Sequence, residues 1–177
     1  MKKIIITLML LVSAFVSSGH EISVGYVVDP SYTEQTNYHE LTRFLNITYK
    51  PAGITFKCEE VFYKKNPVPT YNLNKLCIYT NQADDAKDIT VCVVGKHEGN
   101  EIGQAPLEGF FYQKSIAYVD LSFTRNIQGK SNMVAHEIGH LLGLDHCPDG
   151  TLMQEYHCNH AVKLSESHLK KLKKIRF

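Results

Sequence analysis

The chain has 177 residues, 44% of them hydrophobic and 21% charged, with only 6 prolines and 11 glycines. This composition excludes collagen-like, coiled-coil and disordered chains. With 19 Lys and Arg against 18 Asp and Glu the formal net charge is +1, so no whole-chain field draws the protein to nucleic acid or to an acidic membrane. Any partner has to be recognised locally.

Lys2 and Lys3 precede an apolar run from Ile4 to Val16, which gives way to the small residues Ser17, Ser18 and Gly19. That is the layout of a secretory signal peptide, and the run is shorter than the roughly 20 apolar residues a membrane-spanning helix needs. Cleavage after Ser18 is expected, leaving residues 19–177 as one secreted or periplasmic domain without a stable membrane anchor. No repeat, low-complexity tract or linker divides those residues. All five cysteines, Cys58, Cys77, Cys92, Cys147 and Cys158, lie beyond Ser18, where an oxidising compartment permits disulfides. Proximity in the chain suggests Cys147 with Cys158, and then Cys58 with Cys77, while Cys92 is expected as a buried free thiol.

Ile22–Val28 is a β-branched run ended by Asp29 and Pro30, and Ile54–Tyr63 and residues 89–95 have the same character, so each predicts a strand. Between the first two, Tyr38, Leu41, Leu45 and Tyr49 recur at helical spacing; a helix capped near Ser31 or Thr33 and stopped before Pro51 is expected. Strand, helix, strand is the beginning of a βαβ unit. The proline- and asparagine-containing residues 64–74 predict a surface loop, Leu76–Thr80 a short strand, and residues 116–121 (IAYVDL) a further one. Residues 131–144 carry Met133, Val134, Ile138, Leu141 and Leu142 around much of the circumference, as in a helix buried at the centre of a domain. From about Ser165 a last helix has Leu169, Leu172 and Ile175 on one face and lysines on the other.

The buried helix carries the chemistry. Residues 136–146 read HEIGHLLGLDH. A helical advance of about 100° per residue puts His136 and His140 on one face about 6 Å apart along the axis, so two imidazoles can share one ion. Gly143 supplies the left-handed conformation that ends a helix and lets His146 return toward that ion as third ligand. Three neutral nitrogens leave one position of a tetrahedral zinc open, as a catalytic rather than a structural site requires. Glu137, one residue round from the first ligand, borders the ion and can take a proton from water there.

These residues resemble the metzincin zinc-binding motif H-E-x-x-H-x-x-G-x-x-H, and Met153, in Thr151-Leu152-Met153, is similar to the methionine of the turn beneath the metal. The resemblance implies an α/β (α+β) zincin domain: a twisted mixed sheet, a long N-terminal helix, a buried zinc-binding helix, the Met-turn and a C-terminal helix. It further implies Zn2+ held by His136, His140 and His146, Glu137 as general base, and hydrolysis of peptide bonds by a metal-activated water. The step from His146 to Met153 is similar to matrixins and the lead-in Asn132–Ala135 to adamalysins, which leaves the subfamily open. Cys147 resembles a feature of archaemetzincins whose companion cysteines are missing here. The tyrosine that astacins and serralysins place after the methionine is Glu155 here, so no tyrosine ligand carries over.

The expected function is that of a secreted, monomeric zinc endopeptidase acting on protein or peptide substrates, without a long propeptide and with no nucleic-acid partner. An extended substrate would align on an exposed sheet edge, to be sought between Glu101 and Tyr112. Two other readings stay open: a zinc protein that captures a partner without cleaving it, and a zinc amidase acting on cell-wall peptides. His157, Cys158 and His160 with Cys147 form a lesser metal candidate, and Asp84, Asp85 and Asp88 lack the spacing of a calcium loop. His39, His97 and His168 are expected at the surface, as is His20, a weak candidate for self-control. Asn46-Ile47-Thr48 is a glycosylation sequon inside the predicted helix.

Overall fold

A computed structural model describes residues 19–65, 88–95, 103–105, 115–147, 151–154 and 163–175. The strands are β1 (His20–Val28), β2 (Ile54–Tyr63), β3 (Ile89–Val94), β4 (Gly103–Gln104) and β5 (Ser115–Asp120). They form one mixed sheet in the order β2-β1-β3-β5-β4, in which β1 is parallel to β2 and β3, β3 is parallel to β5, and β4 alone is antiparallel. The helices are α1 (Tyr38–Tyr49), α2 (Ile127–Leu141) and α3 (Glu166–Leu172). The predicted strand at Leu76–Thr80 and most of the predicted surface loop lie outside the described residues.

β1, α1 and β2 make the expected βαβ unit, with the two strands paired from His20 opposite Ile54 to Val28 opposite Tyr63 and one irregularity between Val24 and Gly25. Apolar side chains of β1, β3 and β5 (Ile22, Val24, Tyr26, Val91, Val93, Ala117, Val119) meet Leu41, Leu45 and Tyr49 of α1 and Val134, Ile138 and Leu141 of α2 in one core. α1 packs on β2 and α2, and α2 on β5, so the two helices lie side by side on the sheet.

α1 begins seven residues later than Ser31, one of its two expected caps. Its N-cap is Asn37, whose side chain accepts from the Glu40 amide at 3.1 Å. The preceding residues are held as irregular chain: Asp29 Oδ1 accepts from the Ser31 amide, and Lys130 Nζ donates to Tyr32 Oη at 2.6 Å, Glu34 Oε2 at 2.7 Å and Thr36 Oγ1 at 3.3 Å. Lys130 lies in the first turn of α2 and is 3% exposed. A buried ammonium is tolerated because all three of its donors are satisfied, one of them by a carboxylate. It fastens the start of α2 to the chain that leads into α1. α2 itself starts at Ile127 after an Asn126 cap, one turn before the expected Ser131.

The sequon asparagine has a structural task. Asn46 Nδ2 donates to the Phe56 carbonyl at 3.0 Å, and its Oδ1 accepts from the Phe56 amide at 2.5 Å. In a parallel strand the amide and carbonyl of one residue point to the same side, so Asn46 fills a position on the edge of β2 turned away from β1. Asn46→Ala should lower stability by about 1–2 kcal/mol, since both Phe56 groups lose their partner, and so lower the melting temperature by roughly 2–8 °C, as scanning calorimetry would read. A melting temperature equal to that of the parent would contradict the clamp.

Candidate metal centre

α2 crosses the core with every residue from Gly129 to Leu141 buried, which is why apolar residues surround the motif and why its polar groups need partners. His136 and His140, one turn apart, are 4% and 6% exposed. Beyond Leu142 the chain turns in a Schellman motif: the Gly143 amide donates to the His140 carbonyl at 2.8 Å and the Leu144 amide to the Gly139 carbonyl at 2.8 Å, with Gly143 at φ 78°. A non-glycine residue would be strained in that conformation. The turn sends the chain back along the helix, and His146 arrives beside His136 and His140.

The three Nε2 atoms form a triangle with edges of 3.1 Å (His136 to His140), 3.0 Å (His140 to His146) and 3.3 Å (His146 to His136). The rings of His136 and His140 stand at 83° and those of His140 and His146 at 77°, so the nitrogens converge while the rings fan out. His136 Nδ1 lies 2.8 Å from the Leu152 carbonyl and His140 Nδ1 2.9 Å from the Leu144 carbonyl. A carbonyl only accepts, so each Nδ1 carries the proton and each Nε2 presents a lone pair. Two lone pairs facing across 3.1 Å repel unless a cation lies between them. Burial, reinforced by the neighbouring imidazoles of His140 and His146, holds His136 down at about 4, and burial also lowers His140. Both rings are therefore neutral at pH 7, the form in which imidazole ligates a metal. With metal–nitrogen bonds of about 2.0–2.1 Å, a tetrahedral zinc would require nitrogens about 3.3–3.4 Å apart, close to the edges of this triangle. Among the described residues this is the one His, Cys, Asp or Glu group arranged to hold an ion.

Glu137 is 7% exposed and lies between α2 and β4: a Cβ placed on Gly103 would fall 2.6 Å from its Oε1. Met153 is fully buried and its sulfur packs on the backbone of α2, where a Cβ at Gly139 would lie 2.5 Å from Sδ. The Cys147 amide donates to the Met153 carbonyl at 2.9 Å, which ties the chain after His146 to the turn beneath. Tyr49 of α1 donates to the Ala135 carbonyl at 2.6 Å, and burial, with the Glu137 charge adding to it, raises its phenol above the usual range. Lys171 of α3 donates to Asp145 at 3.1 Å and holds that carboxyl below the usual carboxylate range.

The expected edge strand is present: β4 falls within Glu101–Tyr112 and ends the described sheet. Not every expectation holds. His168, expected at the surface, is 7% exposed on the inner side of α3, because at this spacing it falls next to the apolar stripe of Leu169 and Leu172. His39 and His20 are exposed as expected, and Asp88 accepts from the Ser23 amide at 2.8 Å. Cys92 is a buried free thiol, pushed up to about 12 by burial. Among the described residues there is no disulfide. Cys58 and Cys147 are free, and their suggested partners Cys77 and Cys158 lie outside the described residues, as do Asp84, Asp85, His97, His157 and His160. Gly103 and Lys130 were not anticipated, and Tyr49 was expected only on the apolar face of α1, not as a donor to the Ala135 carbonyl. Lys130 precedes Ser131, where the buried helix was expected to begin, so its place inside that helix is known only from the structure.

A 57-residue stretch is 39% identical to human disintegrin and metalloproteinase domain-containing protein 33 and takes in 32% of this chain and 7% of that protein, so the chain spans a small part of that relative. Among solved structures, metalloproteinase-II from Bacteroides fragilis superposes with a TM-score of 0.67 at 17% identity, over 87% of this chain and 52% of that one. Archaemetzincin from Methanopyrus kandleri superposes with a TM-score of 0.67 at 16% identity, over 90% of this chain and 97% of that one. At such identities the likeness is one of fold, and the fold is that of metzincin-like zinc peptidases. The family of reprolysin-like metallopeptidases, M12B, matches residues 44–147, from the middle of α1 through the whole histidine motif. Over more than half of its length, and through the residues that form the imidazole triangle, the chain belongs to the metallopeptidase family M12B, reprolysin-like.

Proposed function

We propose that the protein is a secreted zinc endopeptidase in which His136, His140 and His146 hold the metal and Glu137 is the general base. The observation that carries this reading is the triangle of imidazole nitrogens, two of them with lone pairs fixed by carbonyl bonds at the opposite ring nitrogen, with a buried carboxylate one residue away. When bound, zinc supplies Lewis-acid polarisation of a peptide carbonyl and of water. Glu137 accepts a proton from the attacking water as the oxygen–carbon bond forms, and returns it to the amide nitrogen as the carbon–nitrogen bond breaks. No oxidant or further reactant is needed. An extended peptide is oriented by the backbone of β4, the outermost strand described, in the manner of strand addition. The buried Glu137 favours catalysis over mere capture of a partner, because a binding site gains nothing from a base beside an open metal position.

Secretion rests on the basic, apolar and small-residue layout of residues 1–18, and a protein recovered from the medium or periplasm should begin at Gly19 by N-terminal sequencing. No helix among the described residues is long and apolar enough to cross a membrane. The zinc-loaded protein is expected to clear a casein or gelatin film, to leave peptidoglycan intact and to stop when a chelator removes the metal. Digestion of peptidoglycan alone would make it the amidase. Tight zinc binding with neither activity would make it a capture protein.

A further inference from the structure

Gly103 occupies β4 opposite Val119 of β5. Its backbone does not require glycine, since the left-handed glycines among the described residues are Gly53 and Gly143. Space does. A Cβ at Gly103 would lie 2.6 Å from Oε1, 2.8 Å from Cδ and 2.9 Å from Cγ of Glu137, all well inside van der Waals contact. The missing side chain lets the strand's bare backbone close directly on the outer half of the carboxylate side chain, with α2 behind it. We propose that Gly103 is a positioning residue for Glu137, fixing where its carboxylate sits against β4; that this is where a general base must sit rests on the peptidase reading above.

What would yield to a side chain at position 103 decides the consequence. All three contact atoms belong to the movable end of Glu137, whereas β4 is paired to β5 and α2 is buried along its length. Rotating one side chain costs less than lifting a strand or shifting a packed helix. The substitution therefore displaces the base and leaves the sheet edge and the histidines in place. An error of about 1 Å in placing a reacting group costs on the order of 10² in rate, so Gly103→Ala should lower kcat by about 10²-fold. KM should stay within about twofold, because the strand that orients the peptide is retained.

The test uses the full, zinc-loaded chain. Gly103→Ala is expected to keep stoichiometric zinc, to show Glu137 rotated away with β4 still paired to β5 in its crystal structure, and to lose kcat. In the Glu137→Gln background the same substitution should add less than about threefold, because a displaced amide loses nothing further as a base. Unchanged kcat, equal losses in both backgrounds, or a lifted β4 with Glu137 in its original place would each overturn the proposal. If Gly103→Ala does not fold, Gly103→Ala combined with Glu137→Ala replaces it: recovery of folding locates the clash at the carboxylate, and no recovery rejects it. Should the parent protein cleave no peptide, the peptidase reading fails by itself, while the crystallographic position of Glu137 still decides whether Gly103 sets it.

Discussion

Glu137→Gln should give a folded protein that keeps its zinc and hydrolyses peptides about 10²-fold more slowly or worse. The amide has nearly the volume of the carboxylate, so the contact with Gly103 and the burial between α2 and β4 survive. On the proposed mechanism, what is lost is the ability to accept a proton from water and return it to the leaving nitrogen. Because His136, His140 and His146 are untouched, metal content should match that of the parent, and the melting temperature should stay within a few degrees. The loss should fall on kcat rather than KM, as for an interaction made only in the transition state. Full activity in a folded, zinc-loaded Glu137→Gln protein would remove Glu137 from the mechanism, whereas a loss accompanied by metal release would show it to be a structural neighbour of the site.

The histidine spacing was readable because a helix turns local sequence into geometry: residues four apart share a face, and a glycine three residues beyond turns the chain back. The structure adds what fixes each ring, and that was not readable. The carbonyl of Leu152 that orients His136 arrives from 16 residues away, and no local pattern announces such a bond. The same limit explains the misplaced helix starts. Ser31 and Thr33 are good caps, yet the residues after them are claimed by Lys130, roughly a hundred positions on. Tertiary contact outweighs a cap worth about 1 kcal/mol. β4 has neither β-branched residues nor length, and is a strand only because β5 pairs with it. The glycine that admits the Glu137 carboxylate could therefore not be distinguished from any turn glycine until the fold brought the two together.

His146→Ala is expected to weaken zinc binding by more than about 100-fold and to abolish hydrolysis with it, since changes merely in the groups supporting metal ligands already cost 10- to 100-fold. Of the three proposed ligands, His146 is the one on which this test is cleanest. It follows the Gly143 turn outside the helix and is exposed, whereas His136 and His140 are buried in α2 with both rings bonded to backbone carbonyls. Removing either of the latter would orphan a buried carbonyl and harm the fold along with the site. Removing His146 leaves the Leu144 carbonyl on His140 and the Cys147 amide on Met153, so the turn keeps its shape and the metal-free protein should retain the parent's secondary structure by circular dichroism. Two imidazoles one helical turn apart still offer a weak site, so zinc should bind at high concentration and be lost to a competing chromogenic chelator that the parent resists. Stoichiometric zinc held against that chelator would show that His146 is not a ligand, and would place the third donor elsewhere in the chain.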